Sequence, residues 1–112
     1  MPNYDEIRNA IRDGLHLSNL QLILRTSYKI IEEGNPKHPA IFLLLAVLAR
    51  WGVESWGDQE ILPVDKANRI ESVLKPHLET IISAADAEAA EVCSILDRVS
   101  SEFYRQLARQ GS

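Results

Sequence analysis

The chain has 112 residues, 46% of them hydrophobic and 25% charged, which is typical of one globular domain and not of a disordered segment. Twelve Lys and Arg against sixteen Asp and Glu give a net charge of −4, which argues against a broad nucleic-acid-binding surface. A lone cysteine, Cys93, excludes an internal disulfide and a zinc site built from several cysteines.

Neither the first residues nor the longest apolar stretch indicates export or a membrane anchor. Asp5 and Glu6 lie where a secretory signal would carry basic and then apolar residues. The apolar stretch 40–49 is much shorter than the roughly 20 residues that span a bilayer. We therefore expect a cytoplasmic protein that does not enter a membrane.

Hydrophobic periodicity predicts an all-α fold, a single-domain antiparallel helical bundle of about five helices over 1–112. The predicted helices cover 4–15, 19–33, 39–51, 66–83 and 86–109.

The first two helices are predicted from their apolar spacing and from their ends. Ile7, Ile11 and Leu15 share one face of the first helix. Ser18 or Asn19 is expected to cap the second helix, and Gly34 is expected to end it.

The third helix is predicted to begin at Pro39, a residue favoured in first turns, and to end near Trp51 before Gly52. Residues 40–49 include no polar side chain. We therefore expect this helix to be covered on every side at the centre of the fold.

The last two helices follow a long connection. Asp65 is expected to cap the fourth helix, whose apolar stripe continues in phase across Pro76, so a kink is predicted there instead of a break. The fifth helix repeats apolar residues at the alternating spacing of a coiled-coil seam, up to Phe103. A flanking position on that seam makes Cys93 an expected small buried hydrophobe.

The connection 52–65 is long for a compact domain, and such loops are often functional. It contains Glu54, Asp58 and Glu60 but no Lys or Arg, and one helical turn is possible over 58–62. Trp56 either folds back to plug one end of the bundle or anchors a partner, as tryptophan often does in interfaces.

These observations favour a non-enzymatic helical interaction or regulatory module, which acts through protein–protein contacts with itself or with another protein. Tyr104 and Leu107, near the end of the last helix, are either core residues or an oligomer contact. The candidate partner-binding residues are Trp51, Trp56, Asp58, Glu60, Tyr104 and Leu107. No catalytic residue, metal ligand or cofactor is predicted.

One alternative is a small metal-dependent helical-bundle enzyme with a carboxylate site between helices. All-helical nucleotide pyrophosphatases use a Glu-Glu-x-x-Glu motif, but here Glu32 and Glu33 are followed by Pro36 at the third position. This alternative requires Glu32, Glu33, Glu88 and Glu91 to converge on one cavity.

A second alternative is a nucleic-acid accessory protein that uses Arg98, Arg105 and Arg109, and its binding would weaken steeply with salt. Among the histidines, His77 is expected to be a hydrogen-bonded structural residue and not a catalyst.

Overall fold

Five α-helices and no β-strand are found in the residues that the computed structural model describes, which are 4–57 and 62–110. The helices are α1 (Asp5–Asp13), α2 (Leu17–Glu33), α3 (Pro39–Trp56), α4 (Val64–Ser83) and α5 (Ala89–Gln110). Each helix packs against the next along the chain, α4 also packs against α1, and α3 against α5. The predicted all-α helical bundle is confirmed.

The core is centred on α3, which lies against α2, α4 and α5. Its most deeply buried large side chains come from α1 to α4 and include Ile7, Leu20, Ile23, Phe42, Leu45, Leu48, Leu74 and Leu78. The most extensive helix contact is between α2 and α3. Ala46, Ala49 and Gly52 are small residues of α3 that are buried in the core.

Gly52 lies inside α3, so the predicted end of this helix at Trp51 is wrong. A Cβ atom on Gly52 would lie 2.8 Å from Leu74 Cδ1 and 2.9 Å from Leu20 Cδ1. Glycine is therefore present for a close approach of α2, α3 and α4 and not as a helix stop. The helix ends at Trp56, followed by Gly57 with a φ of 64°. The connection between α3 and α4 shortens to 57–63, and the possible turn over 58–62 falls largely outside the described residues.

Polar contacts join α1 to α2 at the start of α2, where the sequence predicted a simple N-cap. Asn19 lies within the first turn of α2, and its side-chain amide donates a hydrogen bond of 2.7 Å to the carbonyl of Gly14. His16 occupies the N-cap position without a side-chain cap bond. The predicted caps Ser18 and Asn19 are therefore wrong by two or three positions.

The turn between α2 and α3 reverses the chain at Asn35. Gly34 follows α2 as predicted but keeps a right-handed conformation, and the left-handed residue is Asn35 with a φ of 47°. Asparagine tolerates this region better than most residues. Pro39 is in the first turn of α3, as predicted.

α4 is one continuous helix through Pro76, which lies on its exposed side. The Thr80 hydroxyl donates a hydrogen bond of 2.8 Å to the Pro76 carbonyl. Pro63 holds the N-cap position, so the predicted cap Asp65 lies instead in the first turn.

The last helix is tied to the rest of the fold at both ends. Near its start, His38 Nε2 lies 2.7 Å from the carbonyl of Ala87, and Lys37 lies 3.9 Å from Glu88. Farther along, His77 Nε2 lies 2.8 Å from the side-chain oxygen of Gln106. His77 is also buried, so it is hydrogen-bonded inside the fold, as predicted.

Within the described residues, α3 is the one helix whose length and apolar composition would allow it to cross a membrane. Its 18 residues have a mean hydropathy of 1.3, and 44% of them are buried inside the fold. The central helix of a bundle can have the same length and composition as a membrane-spanning helix, so these properties do not distinguish the two.

Candidate functional site

One side of α3 faces solvent although it is rich in apolar residues. Leu43 is 54% exposed and Val47, one turn later, is 50% exposed. Ala40, Arg50 and Glu54 are also exposed, and helical geometry places them on the same side. We call these five residues the α3 face. The expectation that α3 is covered on every side is wrong.

The opposite side of α3 explains why this face is left open. Phe42, Leu45 and Leu48 are fully buried, so they fix the orientation of α3 against its neighbours. The close approach at Gly52 holds α3 against α2 and α4. The fifth helix contacts α3 over a short stretch and does not cover Leu43 or Val47.

Trp51 borders the α3 face at the contact with α5. Its ring meets the ring of Phe103 edge-on, with 5.3 Å between centroids, and the side chain stays partly exposed. Leu107 is partly buried against the same core. Tyr104, the residue after Phe103, is 72% exposed. Three of the predicted partner-binding residues are therefore accessible at the surface.

Trp56 lies in a helix and is buried, although the sequence placed it in the connection 52–65. It is the last residue of α3 and only 9% of its surface is exposed. Its indole nitrogen is buried and has no hydrogen-bond partner among the described residues. This placement favours the plug hypothesis over the anchor hypothesis. The other two candidates from this region, Asp58 and Glu60, lie outside the described residues.

The charges on α3 run against the dipole of the helix. Its first turn contains no acidic residue and its last turn no basic residue, while Glu54 lies near the C-terminal end. A helix carries partial positive charge at its N-terminus and partial negative charge at its C-terminus. Both ends of α3 are therefore electrostatically uncompensated by its own side chains.

The structure does not assemble the carboxylates that the metal-enzyme alternative requires. Glu32 and Glu33 are exposed at the end of α2, and Glu88 and Glu91 are exposed around the start of α5. In the described part of the chain, no three His, Cys, Asp or Glu side chains are close enough to share a metal ion. Cys93 is exposed, so its prediction as a buried hydrophobe is wrong.

Sequence reasoning missed Leu43 and Val47, although one signal was available. Arg50 and Glu54 follow Val47 by three and seven positions, which places two charges on its side of the helix. Charged side chains mark the solvent side of a helix.

Comparisons with protein-family models, with curated proteins and with solved structures find no match to this chain. The role of the α3 face therefore has to follow from its own residues.

Proposed function

We propose that this protein is a helical interaction module that pairs with a second copy of itself through the α3 face. The observation that carries the proposal is the half-exposure of Leu43 and Val47 in the middle of the most apolar helix. Leu43 and Val47 are neighbours on one helix face, and contiguous exposed apolar surface marks interaction sites, whereas single exposed aliphatic residues are common on any protein.

A second copy suits this face because the face is complementary to itself when two α3 helices run antiparallel. With Val47 opposite Val47 of the other copy, Ala40 lies opposite Glu54. Each Glu54 then approaches the N-terminus of the other α3, where the first turn contains no acidic residue. Negative charge is stabilising at that end of a helix and destabilising at the end where Glu54 lies in a single copy.

The expected affinity is modest. Burying the exposed parts of Leu43 and Val47 on both copies removes on the order of 400 Å² from water, a gain of about 10 kcal/mol. Lost translational and rotational freedom offsets about 4–15 kcal/mol of this gain. With an offset near the lower end of this range, the net gain is about 6 kcal/mol, and we expect a dissociation constant of roughly 40 µM. The buried area stays well below that of a standard stable interface.

The first test is sedimentation equilibrium from about 5 to about 500 µM protein, a range that brackets the expected affinity. The wild type should shift from monomer to dimer across this range. Val47→Gln should weaken dimerisation at least tenfold, because a polar amide then lies at the centre of the interface. Val64→Gln is the matched control, since Val64 is 72% exposed on α4 and is not part of the α3 face, and its replacement should leave the equilibrium unchanged.

The second test uses Glu54, whose replacement is expected to stabilise the folded monomer but to destabilise the dimer. Glu54→Gln should slightly stabilise the monomer, because it removes an acid from the C-terminal end of α3. It should also weaken the dimer several-fold, with a larger effect at low salt.

Two outcomes would overturn the proposal. The first is a monomer at every concentration. The second is a dimer that Tyr104→Ser disrupts and Val47→Gln does not, which would place the contact on α5. A dimer that Val47→Gln and Glu54→Gln weaken, and that Val64→Gln and Tyr104→Ser leave unchanged, would support it.

A further inference from the structure

A second surface feature lies on other helices, in a groove between α1 and α4 that encloses about 410 Å³. This volume is within the range of small-molecule sites. Its floor is apolar, since Ile11 and Ile82 are nearly fully buried. None of its lining residues belongs to the α3 face.

The rim of the groove is positively charged in a chain whose net charge is −4. Arg8, Arg12 and Lys75 contribute three cations, and Glu79 contributes one carboxylate. The side chains that line the groove thus sum to +2, and the two carboxylates beside the arginines, Asp5 and Asp13, lie outside the lining.

The three cations retain most of their capacity to bind an anion. Arg8 lies 3.5 Å from Asp5 and Arg12 lies 3.5 Å from Asp13, and all four side chains are largely exposed. Such long, solvated ion pairs are weak, and a guanidinium has further N–H donors beyond the one used. Among the described residues, none forms a hydrogen bond or ion pair with Lys75 in this structure.

We propose that this groove binds a small amphipathic carboxylate. The carboxylate head would contact Arg8, Arg12 and Lys75, and an aliphatic chain would lie on Ile11 and Ile82. Guanidinium groups suit carboxylates because their paired N–H donors match the two oxygens. A monoanion is favoured over a phosphate dianion, since Glu79 on the rim repels additional negative charge.

The test is a titration of the uniformly ¹⁵N-labelled protein with octanoate, followed through backbone amide shifts, with octan-1-ol as the uncharged probe of equal chain length. Octanoate should move the amides of residues 8–12, 75 and 77–83 in a saturable way. Its dissociation constant should be at least fivefold lower than that of octan-1-ol, because only octanoate contacts the cationic rim.

Three variants test the charges separately, all at exposed or partly exposed positions. Arg12→Gln should weaken octanoate binding at least fivefold. Glu79→Gln should tighten it about twofold or more, because a repulsive charge is removed. Arg98→Gln is the matched control for arginine loss, since Arg98 is exposed on α5 and outside the groove.

The amide spectra also show whether each variant remains folded, so loss of binding is separable from loss of structure. The proposal is overturned if octan-1-ol binds as tightly as octanoate, or if Glu79→Gln weakens binding. It is also overturned if the shifts lie on α3, or if no saturable binding occurs below about 20 mM, a limit near 2 kcal/mol of affinity. Because no residue that lines the groove belongs to the α3 face, failure here leaves the self-association proposal unaffected.

Discussion

Glu71 of α4 accepts a hydrogen bond of 2.8 Å from the backbone N–H of Leu15, across 56 positions of sequence. Leu15 is 2% exposed and lies in the turn between α1 and α2, directly after Gly14. Gly14 has a φ of 119°, so this turn adopts a conformation that few other residues could hold. The carboxylate of Glu71 therefore fixes the α1–α2 turn onto α4.

We expect Glu71→Ala to lower the free energy of unfolding by about 1–3 kcal/mol, because the N–H of Leu15 then loses its partner. Glu71→Gln keeps a carbonyl acceptor at the same position and should cost less than half as much. Urea denaturation of the three proteins measures both losses. Equal losses for the two variants would contradict a specific role for the hydrogen bond.

Gly52→Ala should destabilise the protein although alanine favours helix formation. The gain in helix propensity is about 1 kcal/mol. The added Cβ meets Leu20 and Leu74, both fully buried, and such overpacking costs about 1–3 kcal/mol. We expect a net loss of about 1 kcal/mol in thermal or urea unfolding.

A double-mutant cycle checks the cause of that loss. A Leu20→Ala background removes one of the two close contacts and leaves Leu74 Cδ1 at 2.8 Å, so Gly52→Ala should cost less there than in the wild type. If the stability losses of Gly52→Ala and Leu20→Ala are additive in the double variant, the contact with Leu20 does not cause the loss in Gly52→Ala.

Trp56→Ala should lower stability by about 3–5 kcal/mol, the usual cost of removing a large buried aromatic side chain. Trp56→Phe should cost far less, because the indole nitrogen has no hydrogen-bond partner among the described residues. Under conditions where the Phe variant is folded, its dimerisation should equal that of the wild type. A stable Trp56→Ala variant that no longer self-associates would instead favour the partner-anchor hypothesis.

The stability of the protein should fall in alkaline solution partly because of Tyr4. Burial of its ring raises the pKa of the Tyr4 hydroxyl above the ordinary value of 10.0, and the negative charge of Asp86 raises it further, whereas Arg8 opposes the change. The folded state thus holds this proton more tightly than the unfolded chain. The resulting stability is present below pH 10 and is lost as pH rises through the folded pKa.

Tyr4→Phe removes the ionisable group and should therefore flatten the decline in unfolding free energy above about pH 10. The matched control is Tyr104→Phe, since Tyr104 is 72% exposed, and it should leave the alkaline decline unchanged. Urea denaturation at successive pH values checks this. Identical alkaline slopes for the wild type and Tyr4→Phe would contradict it.

Ser27→Ala should stabilise the protein by about 0.5–1 kcal/mol. The Ser27 side chain is fully buried at 0% exposure, and its hydroxyl has no hydrogen-bond partner among the described residues. A buried hydroxyl without a partner carries an uncompensated desolvation cost of about 1–3 kcal/mol. Ser101→Ala, at an exposed position of α5, is the control for helix propensity. A loss of stability in Ser27→Ala would show that the hydroxyl is satisfied in solution.

The helices themselves were predictable because their apolar residues repeat at helical spacing, which is a local property. Their ends were less predictable. Gly52 and Gly57 look alike in sequence, yet one is buried between three helices and the other follows the end of α3. The difference depends on Leu20 and Leu74, which are distant in sequence.

The α3 face was predictable only in part, because Arg50 and Glu54 mark the solvent side of its last turns and nothing in residues 40–49 does so. Residues 40–49 have the same apolar character on both sides of the helix, so composition alone could not tell which side its neighbours cover. That outcome depends on how the other helices dock, and the contact of α5 with α3 includes the Trp51–Phe103 ring pair but leaves Leu43 and Val47 exposed. Tyr104 and Leu107 could be selected as surface candidates because they lie near the end of a helix with a clear apolar stripe.

The attachment of α5 has a consequence for the order in which the molecule opens. Of the described side chains in its 22 residues, Val92, Val99 and Phe103 are buried, and beyond Phe103 the contact of Gln106 with His77 holds the helix to α4. Segments with few buried contacts open at lower free energy than the core, and they do so as cooperative units. Amide protection should therefore be lower across α5 as a whole than in α2, α3 and α4, which exchange through global unfolding.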